Sequence, residues 1–496
     1  MESKPHLLDR IDSWGAACPE RLAHVSAGRL LSWEALVERS NALALWMDAR
    51  LQGIPGPVAF RGHKEPEMLV GFLATVKSGR AYVPMDASIP EQRVERIVEG
   101  ASAALVLTPE ELGQILDGLP RWEEGSGRPA KRVEGEDPFY ILFTSGSTGE
   151  PKGVVITLSN LTAFVDWLLG EHQFAPQGEV FLNQAPFSFD LSVMDLFGSL
   201  VTGGTLASVT KEELSNLKAL YGRLASAEVT TWVSTPSFAQ MCLIEKGFHA
   251  GMLPRMRRFL FCGETLAPET AFQLLERFPE AEVWNTYGPT EATVATTSVR
   301  VDRALLERFS PLPVGYEMPG TRVVVLDENG VELLEGERGE IVIAGPNVSP
   351  GYLRRPELTG KVFGAWGGAR SYRTGDWGRK KEGLIFFEGR MDGQVKVNGY
   401  RIELGDLEAN LRGLAEIADA VVLPVQKGGR VESLAAFVVL SGAKEGSDFE
   451  CAARLKTRLG ERLPAYMLPR KFHFLEAFPM TPNGKADRRK LAELLG

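Results

Sequence analysis

A loop rich in glycine and hydroxyl side chains follows an apolar segment near residue 140 and has the composition of a phosphate-binding loop. The apolar segment Phe139–Phe143 has the β-branched and aromatic content of a buried strand. The loop runs Thr144-Ser145-Gly146-Ser147-Thr148-Gly149-Glu150-Pro151-Lys152-Gly153. Glycines let backbone N–H groups turn toward an anion, hydroxyl groups add donors, and the lysine adds charge. Because Pro151 precedes the lysine and Gly153 follows it, this is not the loop in which Gly-Lys-Ser/Thr opens a helix. We predict a flexible loop that closes over a triphosphate, with a solvent-exposed turn as the alternative.

Three further charged residues stand in contexts that bear on nucleotide chemistry. Asp376 follows the segment Tyr372-Arg373-Thr374-Gly375, and a fixed carboxylate is a natural acceptor for the hydroxyl groups of a ribose. Arg390 could support that carboxylate from the end of a predicted strand, and an ordinary surface ion pair between the two is the alternative. Lys485 ends the polar segment Pro482-Asn483-Gly484-Lys485, where local composition alone favours a solvated lysine.

Alternating helix and strand patterns surround the loop and must position it. The spacing of apolar residues predicts an amphipathic helix over Leu31–Leu51. Val58–Phe60 and Ala104–Leu107 are short apolar runs of the kind that buried parallel strands form. The alternation continues to about residue 310 and predicts α/β layers.

From residue 315 to 390 the pattern is typical of a β-rich subdomain. Thr321–Leu326 and Val331–Leu334 flank the segment Asp327-Glu328-Asn329-Gly330, which predicts a β-hairpin with an Asn-Gly turn. Gly339–Ala344 and Gly383–Glu388 are predicted to add strands.

Beyond Gly389-Arg390 the sequence predicts a small α+β unit. Its predicted elements are strands at Val395–Val397, Tyr400–Ile402, Val421–Val425 and Ser433–Leu440 and a helix at Leu404–Leu414. We therefore predict an α/β chain with a large N-terminal domain, residues 1–391, and a small mobile C-terminal domain, residues 392–496.

Composition restricts the class of protein further. The 496 residues carry a formal net charge of −9, which argues against non-specific nucleic-acid binding and favours a small-molecule enzyme. The four cysteines form no CxxC pair, so we predict neither a metal cluster nor a disulfide framework. The charged N-terminal segment, broken by Pro5, is unlike a secretory signal, and no apolar run approaches the roughly 18 to 20 residues that span a bilayer. We predict a soluble cytoplasmic protein without membrane insertion.

The phosphate loop resembles the signature of the adenylate-forming superfamily, which includes acyl-CoA synthetases, luciferases and the adenylation domains of peptide synthetases. Further segments resemble the motifs of that superfamily, in order along the chain: Asn285–Glu291, Tyr372–Asp376, Gly389–Asp392, Gly399–Glu403 and Pro482–Lys485. Each motif alone is weak, but six in register identify the superfamily.

The resemblance implies an ATP site with Mg²⁺. In it, Glu291 would hold the metal, Tyr287 would stack on adenine and Thr290 would donate to the α-phosphate; one carboxylate suffices, since Mg²⁺ takes its other ligands from phosphate oxygens and water. A rigid turn with a solvated glutamate is the alternative for Glu291. The implied ATP-binding residues are Thr144, Ser145, Gly146, Ser147, Thr148, Lys152, Asn285, Thr286, Tyr287, Gly288, Pro289, Thr290, Asp376, Phe387, Glu388, Gly389, Arg390 and Lys485.

The resemblance also implies a catalytic lysine on the mobile domain. Attack of a carboxylate on the α-phosphorus of ATP brings two anions together, so the site must supply cations and a fixed geometry. Lys485 would bridge the carboxylate and phosphate oxygens, with Glu291 and Thr290 as the other catalytic residues. Asp392 resembles the hinge residue about which the small domain turns.

Asp190 decides the substrate class. It lies in Phe187-Ser188-Phe189-Asp190-Leu191-Ser192-Val193-Met194-Asp195 and matches the position where amino-acid adenylation domains carry an aspartate. A buried carboxylate is needed to pair with a substrate ammonium, whereas a fatty-acid enzyme has no use for one. The alternative is a helix N-cap, and the two roles do not exclude each other.

The wider pattern resembles one family, the D-alanine:D-alanyl carrier protein ligases. The segments that carry this resemblance are Asn183–Asp195, Ser234–Phe238, Phe261–Glu264 and Asn285–Ala295. In that family the positions of Cys262 and Val294 line the pocket for the substrate methyl group, although a free cysteine is commonly just a small buried apolar residue. The resemblance implies that the partners are D-alanine or another small amino acid and the phosphopantetheine thiol of a separate carrier protein. It also implies a role in the D-alanylation of teichoic acids.

Three other functions stay open at this point. The first is a stand-alone adenylation enzyme for glycine, L-alanine or L-proline that serves a biosynthetic carrier protein. The second, an acyl-CoA or other carboxylate ligase, is disfavoured by Asp190. The third, a catalytically silent nucleotide-binding module, would be expected to lack Lys485 or Glu291.

Overall fold

The computed structural model divides the chain into two compact units. The described residues are 5–123, 125–146, 149–175, 178–391, 393–397, 399–427, 430–444, 446–480 and 486–495. The first unit comprises Met1–Ala87, Ala101–Leu142 and Gly153–Gly389, and the second comprises Ser88–Gly100, Phe143–Lys152 and Arg390–Gly496. Four predicted site residues lie outside the described residues: Ser147, Thr148, Asp392 and Lys485.

Two large sheets form the framework of the first unit, as far as the described residues show. In spatial order, one has nine strands at Tyr316–Glu317, Thr297–Val301, Glu282–Tyr287, Arg258–Phe261, Thr231–Ser234, Val180–Asn183, Thr205–Ser208, Leu22–Ser26 and Arg29–Ser32. The other has six strands, at Gly351–Tyr352, Lys152–Thr157, Pro138–Thr144, Tyr82–Asp86, Val58–Gly62 and Leu105–Leu107. Neighbouring strands are parallel in the middle of both sheets, so the carboxyl ends of those strands lie along one edge, where α/β proteins bind ligands.

Helices cover these sheets and bury their apolar faces. In this unit they span Leu7–Ala17, Trp33–Arg50, Pro66–Lys77, Pro109–Gly118, Leu158–His172, Leu191–Thr202, Lys211–Ser215, Leu217–Ser226, Pro236–Leu243, Pro268–Arg277, Arg303–Arg308 and Pro356–Val362. Every residue of Pro66–Lys77 and of Leu191–Thr202 is buried. One continuous apolar core joins residues of both sheets, such as Phe60, Phe139 and Phe181.

A third, β-rich sheet completes the first unit. In the described residues its strands are Arg322–Leu326, Gly339–Ala344, Ala369–Lys381 and Phe363–Trp366, and Leu384–Arg390 pairs with Ala369–Lys381.

The predicted hairpin in this sheet is wrong in its second strand. Arg322–Leu326 pairs with Gly339–Ala344, whereas residues 331–334 make only an isolated bridge. The Asn-Gly turn does form, because Asp327 Oδ1 accepts from the N–H groups of Asn329 and Val331. The strand fails to form because Val331 and Leu334 are exposed, so the segment has no buried face to stabilise it.

The second unit has its own apolar core. Its described strands are Gln394–Val397, Tyr400–Glu403, Ile417–Lys427, Arg430–Leu440 and Lys471–Phe474, and its helices include Glu91–Ala101, Leu404–Arg412, Asp448–Gly460 and Arg488–Glu493. The core contains Ile402, Leu407, Leu411 and Ala436. Two segments from the first half of the chain, residues 88–100 and 143–152, also belong to this unit.

The predicted fold class, α/β with a large N-terminal and a smaller C-terminal part, is confirmed. Among the described residues, no helix combines the length and the apolar character needed to cross a bilayer.

Candidate nucleotide and amino-acid site

Asp190 and Thr290 meet although 100 residues separate them in the chain. Asp190 immediately precedes the helix Leu191–Thr202, yet its side chain makes no capping hydrogen bond. Instead, Thr290 Oγ1 donates to Asp190 Oδ2 at 2.6 Å. A cap-only role for Asp190 is therefore wrong, and the carboxylate is oriented toward the segment Tyr287–Glu291.

Glu291 is a fully buried carboxylate, 0% exposed. It lies in the 3₁₀ turn Thr290–Ala292, and Tyr352 donates its hydroxyl to Glu291 Oε1 at 2.7 Å. The main chain is fixed as well, because the N–H of Ser349 donates to the carbonyl of Glu291. A buried carboxylate is costly unless partners stabilise it, so the solvated glutamate considered from the sequence is wrong.

Tyr287 and Asp376 are also brought together. The Tyr287 hydroxyl donates to Asp376 Oδ2 at 2.5 Å, and both side chains are largely buried. The ring of Phe387 lies beside that of Tyr287, with centroids 6.1 Å apart. An aromatic face next to a fixed carboxylate can accept an adenine base and a ribose hydroxyl.

Cys262 and Val294 are neighbours in the core. Cys262 Sγ lies 3.6 Å from the carbonyl oxygen of Val294, and both residues are nearly inaccessible to solvent. Val294 and the preceding Thr293 have positive φ, 70° and 52°, a conformation that branched residues adopt only when their surroundings impose it.

Asn347 imposes that conformation. Asn347 is fully buried. Its side-chain Nδ2 donates to the main-chain carbonyl of Ala292 and to Thr296 Oγ1. Its main-chain carbonyl accepts from Thr293 Oγ1. The turn that carries Thr293 and Val294 is therefore held by a buried polar residue that sequence reasoning missed. The polar Asn347 and Ser349, three and five residues after the apolar strand Gly339–Ala344, were the signal that could have revealed it.

Three of the predicted ATP-binding residues stabilise the local backbone in this structure. Asn285 Nδ2 donates to the carbonyl of Pro313, and Thr286 Oγ1 donates to the carbonyl of Phe261. Gly288 has no room for a side chain, since an added Cβ would lie 2.6 Å from Ala295 Cα. These three residues hold the segment before Pro289 in place.

The remaining predicted residues of the first unit lie at its C-terminal end. Glu388 forms ion pairs with Arg338 and Arg379, at 3.2 and 3.1 Å. Gly389 has a φ of 107° and is the last residue of this unit, so Arg390 belongs to the second unit.

The described part of the phosphate loop belongs to the second unit, from Thr144 to Lys152. Ser145 Oγ donates to the carbonyl of Arg401 and accepts from the N–H of Glu403, both at 3.1 Å. Lys152 Nζ lies 3.9 Å from Glu403 Oε1. Gly146 is required sterically, because an added Cβ would lie 2.3 Å from the carbonyl oxygen of Glu150.

Sequence reasoning missed a buried lysine, Lys64, which contacts the start of the segment that leads to Asp190. Lys64 is 1% exposed, and its ammonium donates to the carbonyls of Asn183, Gln184 and Val209 at 2.8, 2.7 and 2.9 Å. Burial lowers the pKa of Lys64 to about 7, against the raising effect of nearby carboxylates. The charged groups that act on it are Asp195, Asp86, Glu213 and Lys211.

This burial predicts a pH dependence of stability. Between pH 7 and 10.5 the unfolded lysine keeps a proton that the folded one gives up, so the free energy of unfolding should rise with pH in that window. The contribution is at most about 1.4 kcal/mol per pH unit, and it vanishes below pH 7, where both states are protonated. Denaturant unfolding at pH 7, 8 and 9 should show this slope in the wild type and a smaller one in Lys64→Met; parallel curves would contradict it.

Comparison with known sequences gives the class of protein that this fold and site define. Residues 11–353 match the family described as AMP-binding enzyme, and residues 406–485 match the AMP-binding enzyme C-terminal domain. The chain belongs to the AMP-binding enzymes, and the predicted membership of the adenylate-forming superfamily is confirmed.

Relatives narrow the resemblance to a particular ligase. The chain is 45% identical to the D-alanine–D-alanyl carrier protein ligase of Bacillus mycoides strain KBAB4 and 44% identical to that of Bacillus cereus strain B4264, over 98% of each chain. Among solved structures, it resembles the Vibrio cholerae adenylation domain AlmE in complex with glycyl-adenosine-5′-phosphate, with a TM-score of 0.85, 22% identity and coverage of 100% of this chain and 98% of that one. It also resembles holo-PA1221, a peptide-synthetase protein with adenylation and carrier domains, with a TM-score of 0.81, 28% identity and coverage of 99% and 84%.

Proposed function

We propose that this chain uses ATP to convert D-alanine to D-alanyl adenylate, with release of pyrophosphate, and then transfers the D-alanyl group to the phosphopantetheine thiol of a separate carrier protein. The full-length similarity to D-alanine–D-alanyl carrier protein ligases supports the overall reaction. The similarity to the carrier-bearing protein PA1221 supports a carrier thiol as the acceptor.

The observation that carries the proposal is the hydrogen bond that Thr290 donates to Asp190. Asp190 would pair with the substrate ammonium, and Thr290, which has a single hydroxyl proton, would then donate it to the α-phosphate of ATP instead of to Asp190. Because their side chains lie 2.6 Å apart, an amino acid held by Asp190 has its carboxylate within reach of the phosphate. Holding both reactants in this geometry supplies much of the rate enhancement.

Glu291 would hold the Mg²⁺ that neutralises the phosphates. Its full burial suits a metal ligand, since an ion would compensate the charge. By resemblance, the metal would be held by this one carboxylate together with phosphate oxygens.

Asp376 and Tyr287 would bind the nucleoside. The carboxylate that accepts from the Tyr287 hydroxyl would accept from a ribose hydroxyl, and Tyr287 would stack on adenine. Arg390 would support that carboxylate, and the phosphate loop, including Ser145 and Lys152, would contact the phosphates.

Lys485 would stabilise the charge that develops on the carboxylate and phosphate oxygens during adenylation. Asp392 would serve as the hinge of the small domain, residues 392–496, which withdraws the lysine before thiol transfer. By resemblance to its family, the enzyme would work in the cytoplasm and supply D-alanine for the D-alanylation of teichoic acids.

Cys262 and Val294 would form the wall against the substrate methyl group. We expect Cys262→Ala to reduce the preference for D- over L-alanine about tenfold, because a smaller side chain leaves room for a methyl group in the other configuration. The measurement is pyrophosphate exchange with each enantiomer. An unchanged enantiomer ratio would show that Cys262 does not border the methyl group.

The experiment that tests the proposed function is ATP–pyrophosphate exchange with D-alanine, L-alanine, glycine and L-proline, followed by loading of a phosphopantetheinylated carrier protein. We expect D-alanine to give the highest kcat/KM. A higher value for glycine, L-alanine or L-proline would replace the substrate assignment, and exchange with none of them would overturn it.

A further inference from the structure

Lys64 joins the carboxyl ends of two neighbouring parallel strands. Asn183 ends the strand Val180–Asn183, and Val209 directly follows the strand Thr205–Ser208. The two strands pair in register, with Asn183 opposite Ser208. The three carbonyls that Lys64 binds therefore lie at the edge of the sheet from which the chain leaves toward Asp190.

A buried polar network holds both ends of the segment 183–190, which leads from the strand to Asp190. Asn183 Nδ2 donates to Asp195 Oδ1 and to the carbonyl of Ala185, both at 3.1 Å. Asn183 Oδ1 accepts from Ser208 Oγ at 2.8 Å, and Ser208 Oγ is in turn 2.8 Å from His24 Nε2. Asp195 lies in the helix that begins after Asp190, so the network links the start of the segment to the helix at its end.

The ammonium group of Lys64 is suited to holding several carbonyl groups in place. An ammonium has three donors and no acceptor, and here each donor has a carbonyl partner. A buried charge costs free energy that an apolar side chain would not cost. What the ammonium gains over an apolar side chain is a fixed position for three carbonyls at once, two of them in the segment that leads to Asp190.

We propose that Lys64 is a positioning residue for the amino-acid subsite: by binding the carbonyls of Asn183, Gln184 and Val209, it holds the segment 183–190 so that Asp190 meets Thr290. This inference rests on the proposed function, in which Asp190 pairs with the substrate ammonium. Lys64 itself contacts neither substrate nor nucleotide in this role.

The test compares Lys64→Met with Lys77→Met in pyrophosphate exchange. Lys77 is a matched control, because it is also a buried lysine in the first unit, and its partners Ser40, Asn41 and Asp12 lie outside the site. We expect Lys64→Met to raise the KM for D-alanine at least tenfold while the KM for ATP stays within twofold of the wild type. Lys77→Met should leave both KM values within twofold, even where it lowers the melting temperature.

A second variant guards against failure to fold. Lys64→Gln keeps two N–H donors without the charge and should give a KM for D-alanine between those of the wild type and Lys64→Met. The inference is overturned if the KM for D-alanine is unchanged, if both KM values rise together, or if both Lys64 variants fail to fold while Lys77→Met folds. The wild-type assay separates this from the proposed function: if the wild type prefers another amino acid, only the substrate assignment fails, and the variants are compared with that amino acid.

Discussion

Asp190→Asn is expected to reduce D-alanine-dependent pyrophosphate exchange by about 10²- to 10³-fold. Asparagine can still accept the hydrogen bond from Thr290 Oγ1, which lies 2.6 Å from the carboxylate oxygen, so the substitution removes the charge and keeps the local geometry. The substrate ammonium would then enter a partly buried site without a counter-charge, at a cost of about 2–5 kcal/mol. The measurement is kcat/KM for D-alanine, with the dissociation constant of ATP determined separately.

A matched aspartate controls for the loss of one negative charge. Asp117, on the helix Pro109–Gly118, is exposed, and Asp117→Asn should behave as the wild type. ATP binding should stay within about twofold in Asp190→Asn, because Asp190 as the proposed amine anchor would contact the amino acid and not the nucleotide. If Asp190→Asn activates D-alanine as the wild type does, the assignment of Asp190 as amine anchor is wrong.

How far the sequence predicts the fold depends on whether local patterns decide the structure. The helix predicted over Leu31–Leu51 exists as Trp33–Arg50, with Ser32 accepting from the N–H of Ala35 at its start, because periodicity and capping are local properties. The strand after the Asn-Gly turn does not form, since a strand needs a buried face and a partner, and the chain supplies Gly339–Ala344 as that partner instead. Pairing across many residues is a property of the whole fold, which a local pattern does not encode.

In the candidate site, too, the sequence predicts residue types, whereas the contacts between distant residues are seen only in the structure. Residue types and the family resemblance identified Asp190, Glu291 and Asp376 as candidates, but only the structure shows that Thr290 donates to the first and Tyr352 to the second. Lys64 was missed because, in sequence, a lysine in Gly62-His63-Lys64-Glu65 is indistinguishable from a solvated one. Its burial follows from the packing of two distant strand ends around it.

The second large effect is expected from Lys485→Ala, which should lower adenylate formation by about 10³-fold and leave transfer from a preformed adenylate to the thiol within about threefold of the wild type. The first half-reaction joins a carboxylate to a triphosphate and develops charge that a cation must stabilise, and removing one such group costs about 3–4 kcal/mol. In the second half-reaction a thiol attacks the adenylate, after pyrophosphate has left, and the lysine is no longer needed. The measurements are pyrophosphate exchange for the first step and carrier-protein loading from synthetic D-alanyl adenylate for the second.

The contrast between the two half-reactions is what makes this variant informative. Lys490→Ala removes an equal charge from the exposed face of the helix Arg488–Glu493 and should affect neither step. A lysine that served only the stability of the small domain would slow both steps together, because carrier loading also requires that domain to be folded. Equal losses in exchange and transfer would therefore show that Lys485 is structural, whereas a loss confined to exchange would assign it to the adenylation transition state.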